Sequence, residues 1–284
     1  ARRQRQMCIR DSYQVTDAYE LSEVRNDLAA SYMLMNDIDL TEWINDNNPT
    51  SGWAPIGTYT APFTGTFDGN NKCIYGLKIN RPSLDYIGLF GYSKKGGKIS
   101  NTVLVKPTIK GKGYVGGFSG CQAAVITNCL VIGGSIEGNS NYVGGIAGYS
   151  ENNIMECYCN TTVKGVAYVG GIAGLLYYYA TVTNNIFSGN VSATDTHVGG
   201  ISGYFNSSSS SMITYNYVMG SIEGKEYVGG IVSVTNSNYR KTSNNVCIAD
   251  EVSATSSVPY RISLNAGTNN LAWSQTKLIQ NGKE

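Results

Sequence analysis

A short glycine-rich pattern returns six times along the chain, and it limits the fold to a repeat architecture. The copies are Tyr86-Ile87-Gly88-Leu89-Phe90-Gly91, Tyr114-Val115-Gly116-Gly117-Phe118-Ser119-Gly120 and Tyr142-Val143-Gly144-Gly145-Ile146-Ala147-Gly148. They continue as Tyr168-Val169-Gly170-Gly171-Ile172-Ala173-Gly174, His197-Val198-Gly199-Gly200-Ile201-Ser202-Gly203 and Tyr227-Val228-Gly229-Gly230-Ile231-Val232-Ser233. Their starts lie 28, 28, 26, 29 and 30 residues apart. Self-similarity at such a period marks solenoids, propellers and arrays.

A second segment recurs within each unit. Ile126-Thr127-Asn128-Cys129-Leu130-Val131 matches Ile99-Ser100-Asn101-Thr102-Val103-Leu104, Val182-Thr183-Asn184-Asn185-Ile186-Phe187 and Thr242-Ser243-Asn244-Asn245-Val246-Cys247. A third follows, as in Gly134-Ser135-Ile136-Glu137-Gly138 and Gly220-Ser221-Ile222-Glu223-Gly224. Each unit thus holds about three short β-prone pieces separated by Gly, Asn and Ser. Such a unit cannot bury its apolar face alone, but stacked units can. Equivalent strands stacked in parallel at about 4.8 Å give a β-helix, and six turns span roughly 29 Å. A propeller blade needs about 40 residues, which is too many for this period. The expected fold is therefore all-β: a single-stranded parallel β-solenoid, a right-handed β-helix by analogy with crossover handedness. One turn per repeat is expected from about residue 86 to 255.

The repeat also assigns structural roles. The glycines Gly88, Gly91, Gly116, Gly117, Gly144, Gly145, Gly170, Gly171, Gly199, Gly200, Gly229 and Gly230 are read as corners that need positive φ or close backbone approach. The apolar residues after the pairs, Ile146, Ile172, Ile201 and Ile231, should point inward. Asn101, Asn128, Asn184 and Asn244 should stack as a ladder trading amide hydrogen bonds, interrupted by Glu156 and Tyr215. Cys129 and Cys157 fall on one column in adjacent turns.

Residues 12–85 are read as an N-terminal cap and irregular first turns. Within them Ala18 to Leu28 has apolar spacing at i, i+3, i+4 and i+7 and is the one expected helix. A cap of this kind protects the open edge of a solenoid. Residues 1–11 are basic, lack an apolar stretch for export and resemble nothing after them; they are read as a non-native tail. Residues 86–272 form the repeat β-helix and 273–284 a C-terminal tail. Val258-Pro259-Tyr260-Arg261-Ile262-Ser263, lacking the Gly-Gly pair, is read as the solenoid's end.

Composition narrows the function. Lys and Arg total 21 and Asp and Glu total 20, a net charge of +1, so no basic surface for nucleic acid is expected. No stretch of about 20 apolar residues predicts a membrane span. The seven cysteines form no pair of CxxC knuckles, so no zinc site or other metal is expected, and no cofactor. They read as small buried apolar residues.

The residues also carry a resemblance. The chain resembles bacterial proteins with the GLUG motif, named for Gly-Leu-x-Gly, of which Gly88-Leu89-Phe90-Gly91 is a literal copy. Asp37-Ile38-Asp39-Leu40, Trp53-x-Pro55-Ile56-Gly57 and Phe67-Asp68-Gly69-Asn70 match the lead-in of that family, and the likeness covers about residues 12–272. It implies an exported, cell-surface or extracellular protein, with similar repeats in non-catalytic segments of IgA-cleaving peptidases.

Two functions remain. The first is a non-catalytic surface module for adhesion, ligand binding or spacing. Its candidate contacts are Tyr86, Tyr114, Tyr142, Tyr168 and Tyr227, which share one column and would meet a host glycan or protein; Tyr177-Tyr178-Tyr179 adds aromatics nearby, and the favoured structural reading of the column is that its rings stack on each other and support the turns. The chain is expected to be monomeric. The alternative is a polysaccharide-active β-helix enzyme, hydrolase or lyase, using the carboxylates Asp37, Asp39 and Asp68. Those acids also read as turn and strand-end caps, and the single histidine, His197, sits in the tyrosine column. The expectation is therefore no catalytic residue.

Overall fold

The computed structural model describes residues 12–207, 211–235, 242–263 and 267–283. The expectation for residues 1–11 lies outside them. The chain winds as a parallel β-solenoid. One turn runs through Val115–Gly116, Ser119–Gln122, Val125–Thr127, Leu130–Ile132 and Ser135–Gly138. Each strand pairs in parallel with its equivalent in the next turn: Val143–Gly144, Ala147–Ser150, Ile154–Met155, Tyr158–Cys159 and Thr162–Gly165. A turn thus has five strands rather than three, because two-residue strands leave no alternation to read. Val125–Thr127 and Leu130–Ile132 are two halves of one broad sheet, and three narrower sheets complete the circuit.

The register puts like on like. In the sheet that ends each repeat, Ile109, Ile136, Val163, Val191 and Ile222 stack in one inward column, all buried. Ile146, Ile172, Ile201 and Ile231 are fully buried, as their place after the glycine pair implies. Burying a side chain of this size stabilises by about 1.5–3 kcal/mol. Cys121, Cys129, Cys157, Cys159 and Cys247 are buried and unpaired, and Cys73 is half-buried. Burial pushes the Cys121 and Cys159 thiols up to about 12 and Cys247 to about 11, which keeps them protonated.

Of the two reasons expected for the corner glycines, the structure shows close approach and not positive φ. None of the pair glycines has positive φ. Left-handed backbone falls instead on the column residue two positions before each pair: Tyr86, Tyr114, Tyr142, Tyr168, His197 and Tyr227, at φ 52° to 67°. The glycines are required by close approach. A methyl group on Gly145 would overlap the carbonyl oxygen of Gly171 in the next turn and Sγ of Cys159; on Gly171 it would overlap the Phe187 ring.

A second left-handed residue bends the broad sheet in every turn: Asn101, Asn128, Glu156, Asn184, Tyr215 and Asn244, at φ 51° to 58°. Asparagine tolerates this region better than most residues. The expected ladder forms only at its start, where Asn128 Nδ2 donates to Asn101 Oδ1 (2.8 Å) and Asn101 Nδ2 to Asp68 Oδ1 (2.9 Å). The continuous ladder is one residue further on and buried. Nδ2 of Asn185, Asn216 and Asn245 each donates to Oδ1 of the next asparagine, ending at Asn270, at 2.9–3.0 Å. In earlier turns Thr102, Cys129 and Cys157 hold this place and donate to the carbonyl two residues back.

The first turns are less regular but in the same stack. Tyr13–Val15, Ser31–Leu34 and Thr66–Tyr75 pair successively in parallel and join Lys98–Val105. The expected helix spans Ala18–Glu23, followed by a 3-10 turn at Val24–Asn26, and Asp17 caps it by accepting from Glu20 N at 2.8 Å. A second helix, Thr41–Asn47, was not expected; it buries only Ile44, so it shows no apolar stripe in sequence. At the far end, Leu271–Ala272 and Lys277–Gln280 pair in parallel with Val246–Cys247 and Glu251–Ala254. The solenoid therefore continues past residues 258–263, and residues 273–284 contain a strand of it.

The outward faces differ in character. The sheet ending each repeat carries charge, with Lys110 paired to Glu137 at 3.1 Å. The second half of the broad sheet carries Asp39, in register with Tyr75, at its first turn and no charged residue on its outward columns from there on. Its outward column runs Leu130, Tyr158, Ile186, Tyr217, Val246, Leu271.

Candidate functional site

The tyrosine corner is the most regular aromatic feature, its rings half-buried except for the exposed Tyr227. Each ring leaves the backbone at a left-handed residue, between two strands for the earlier turns, as Tyr142 is between Ser135–Gly138 and Val143–Gly144, and within the strands Thr196–Gly199 and Glu226–Gly229 for His197 and Tyr227. Backbone bonds to the next turn pin it: Tyr142 N donates to Ala167 O and Val143 N to Tyr168 O, both at 3.1 Å. Turns repeat at the spacing of aromatic stacking, so the rings form one ladder. Centroids are 4.9 Å apart for Tyr86–Tyr114, 4.8 Å for Tyr114–Tyr142 and 5.2 Å for Tyr142–Tyr168. His197 continues it, 4.8 Å from Tyr168 and 5.0 Å from Tyr227. All five tyrosines of the sequence reading are brought together.

A supporting row was not read from the sequence. Tyr92, Tyr149 and Tyr204 stand on the neighbouring sheet and meet the ladder edge-on, at 5.5 Å (Tyr86–Tyr92), 6.0 Å (Tyr142–Tyr149) and 5.8 Å (Tyr168–Tyr204). Register places Cys121 and Leu175 between them, so large and small residues alternate along the row. The signal was a tyrosine six or seven residues after the column residue in every second repeat. Of the Tyr177-Tyr178-Tyr179 run, Tyr177 packs on Tyr149 at 5.7 Å, while Tyr178 and Tyr179 are exposed.

The stacking decides what a ligand can meet. Successive rings tilt by 21° to 46°, so their faces are covered by each other. What remains outward is ring edge and phenol hydroxyl. Burial pushes the Tyr114 phenol up to about 12 and raises Tyr86, Tyr142 and Tyr204, so these hydroxyls stay neutral near pH 7. Exposed pairs flank the corner, Lys112–Asp85 at 3.5 Å and Lys225–Asp195 at 3.7 Å, each contributing about 0–1 kcal/mol.

The carboxylates named for the enzyme reading have local partners. Asp37 accepts from Cys73 N and Asp68 from Asn70 N, both at 2.8 Å. Asp39 accepts from Thr41 N at 2.9 Å, and hydrogen bonds from the Thr41 side chain and backbone hold it below its usual range. His197 Nδ1 bonds Thr196 Oγ1 at 2.8 Å. Among the described residues, no three His, Cys, Asp or Glu side chains are grouped to hold a metal, and no helix is long and apolar enough to cross a membrane.

No protein-family model matches the chain. Over 124 residues, 42% of its length, it is 38% identical to a protein of Evansella cellulosilytica named as a Gly-rich membrane protein. Over 148 residues, half of its length, it is 33% identical to halomucin of Haloquadratum walsbyi. The matched stretches are 14% and 2% of those much longer proteins. In fold it is similar to a crystal structure from Bacteroides ovatus named as an immunoglobulin A1 protease, with a TM-score of 0.65 and 21% identity over 94% of this chain and 85% of the other. The chain is a parallel β-solenoid that shares this fold and has sequence likeness to short stretches of the two long proteins.

Proposed function

We propose that the chain is a non-catalytic extracellular repeat module that presents its tyrosine ladder to a glycan or protein partner. One observation supports this above the others: a stacked aromatic column, unbroken from Tyr86 to Tyr227, offers a ring edge about every 5 Å, hydroxyl-bearing at every place but His197. A rigid row of this kind gives contact area at low entropic cost. Because the ring faces are covered, the partner is held by hydrogen bonds to phenols and by edge contacts, rather than by a sugar stacked on a ring. The names of the two relatives, a membrane protein and a halomucin, favour a place at the cell surface. The GLUG-motif resemblance favours the same place.

A glycan and host-protein screen with the purified chain tests the reading. Tyr142→Ala with Tyr168→Ala should weaken a hit at least about tenfold while the far-ultraviolet spectrum and melting cooperativity persist. Binding unchanged by that double variant places the site elsewhere. Depolymerisation of a glycan, abolished by Asp68→Asn, would establish the enzyme in its place.

A further inference from the structure

The outward face of the second half of the broad sheet carries no charged residue in either of its two columns over eight turns, from Cys73 and Tyr75 to Leu271 and Trp273. Tyr75, Ile186, Tyr217, Ile248, Leu271 and Trp273 are each 38–65% exposed on it. At 150–250 Å² for a large side chain, these six leave roughly 500 Å² of mostly apolar surface in water. The half-buried members between them, such as Leu130 and Val246, bring the face close to the ~800 Å² that each partner contributes to a standard interface. The exposed part alone is at the upper end of the apolar patches that monomers leave bare, and patches of that size often mark an interaction site.

We propose that two copies of this chain pack through this face, sheet against sheet, about a two-fold axis. Three features select a second copy over another occupant. The area is what a stable dimer needs. Past Asp37 and Asp39, which border its first turn, the face has no charge to select a charged peptide, and those two carboxylates disfavour an anionic surface. Its side chains recur once per turn, at about 4.8 Å, and a second copy presents the same period, so ridges from the two sheets interdigitate along the whole solenoid rather than at one point. The tyrosine ladder lies about half a turn of chain away, as Tyr142 does from Tyr158 in a turn that closes at Tyr168. Such a dimer therefore leaves both ladders open. The inference does not depend on what the ladder binds, and it departs from the monomer expected from sequence.

Sedimentation equilibrium of the purified chain tests it. The expected mass is twice the chain's 30.5 kDa at concentrations from about 1 to 100 μM, a range that reads micromolar affinity. Ile186→Lys with Tyr217→Lys should weaken self-association at least about 30-fold with cooperative unfolding retained and a melting temperature that no longer depends on concentration, because both side chains are exposed in the single chain. If that pair fails to fold, Leu271→Lys, at the most exposed position of the face, gives the same readout. Lys164→Ala, on the charged sheet, should leave the dimer intact. A wild-type monomer throughout that range overturns the proposal, as does a dimer that survives the lysine variants or one dissociated only by Tyr142→Ala with Tyr168→Ala. A wild-type monomer that floats with phosphatidylcholine vesicles overturns it in favour of a lipid surface.

Discussion

His197 stacks on Tyr168 with ring centroids 4.8 Å apart and planes 21° from parallel, filling one place in a column otherwise made of tyrosine. Burial lowers its pKa below the ordinary 6.5, against the opposing pull of Asp195 and Glu226. The fold thus favours the neutral ring, and the unfolded chain binds more protons in the interval below 6.5. This contribution to stability is complete above about pH 6.5 and is lost as pH falls through the lowered folded value. Melting temperature should therefore drop as pH falls below about 6.5, and His197→Tyr should flatten that slope. An equal slope in the variant would assign the effect to other groups.

Tyr142 is held at φ 67°, where a bulky residue is strained by about 1 kcal/mol or more. Its stacks on Tyr114 and Tyr168 offset that strain. Tyr142→Ala loses the stacking and keeps the strain, whereas Tyr142→Gly loses the stacking and relieves it. Glycine should thus be the milder replacement by about 1 kcal/mol in urea unfolding, the reverse of the usual order inside a β-structure. Equal or inverted costs would show that the left-handed backbone is not strained here.

Gly145 faces the Gly171 carbonyl and Cys159 Sγ. Gly145→Ala should cost about 3 kcal/mol or more, and Gly145→Val more still, by forcing two turns apart. Cys159→Ala should not rescue it, because the backbone oxygen remains. Full rescue would show that side-chain crowding alone requires the glycine.

Asn216 is fully buried and uses both ends of its amide. Nδ2 donates to the carbonyls of Val182 and Thr214 and to Asn245 Oδ1, and Oδ1 accepts from Asn185 N and Nδ2. Asn216→Leu leaves those groups unpaired and should cost about 3 kcal/mol or more. Asn216→Asp should be as harmful, since a carboxylate turns toward two carbonyl oxygens. Differential scanning calorimetry of the two variants checks this; a shift of under about 2 °C in either would count against the ladder's weight in stability.

Much of the architecture was legible because a solenoid writes its period into its sequence. Each turn solves the same packing problem, so Ile146, Ile172, Ile201 and Ile231 recur in step and their burial followed from position alone. The column tyrosines were legible for the same reason. The row of Tyr92, Tyr149 and Tyr204 was not, because aromatic rings there alternate with Cys121 and Leu175 and the repeat is visible only every second turn. The helix Thr41–Asn47 was missed because one buried residue makes no stripe.

The sequence by itself determined the repeat, the parallel stacking and the inward place of the apolar residue after each glycine pair, since near-28-residue recurrence of short β-prone pieces admits few other arrangements. Only the tertiary structure decided where the backbone turns left-handed. Tyrosine adopts that conformation at the corner because neighbouring turns surround it with rings, whereas the glycines beside it make room for the backbone of the next turn. It also decided that the ladder offers edges rather than faces, and that the charge-free columns from Cys73 to Trp273 line up as one face. Those facts belong to contacts between residues a full turn apart, which pairing register fixes and local sequence does not encode.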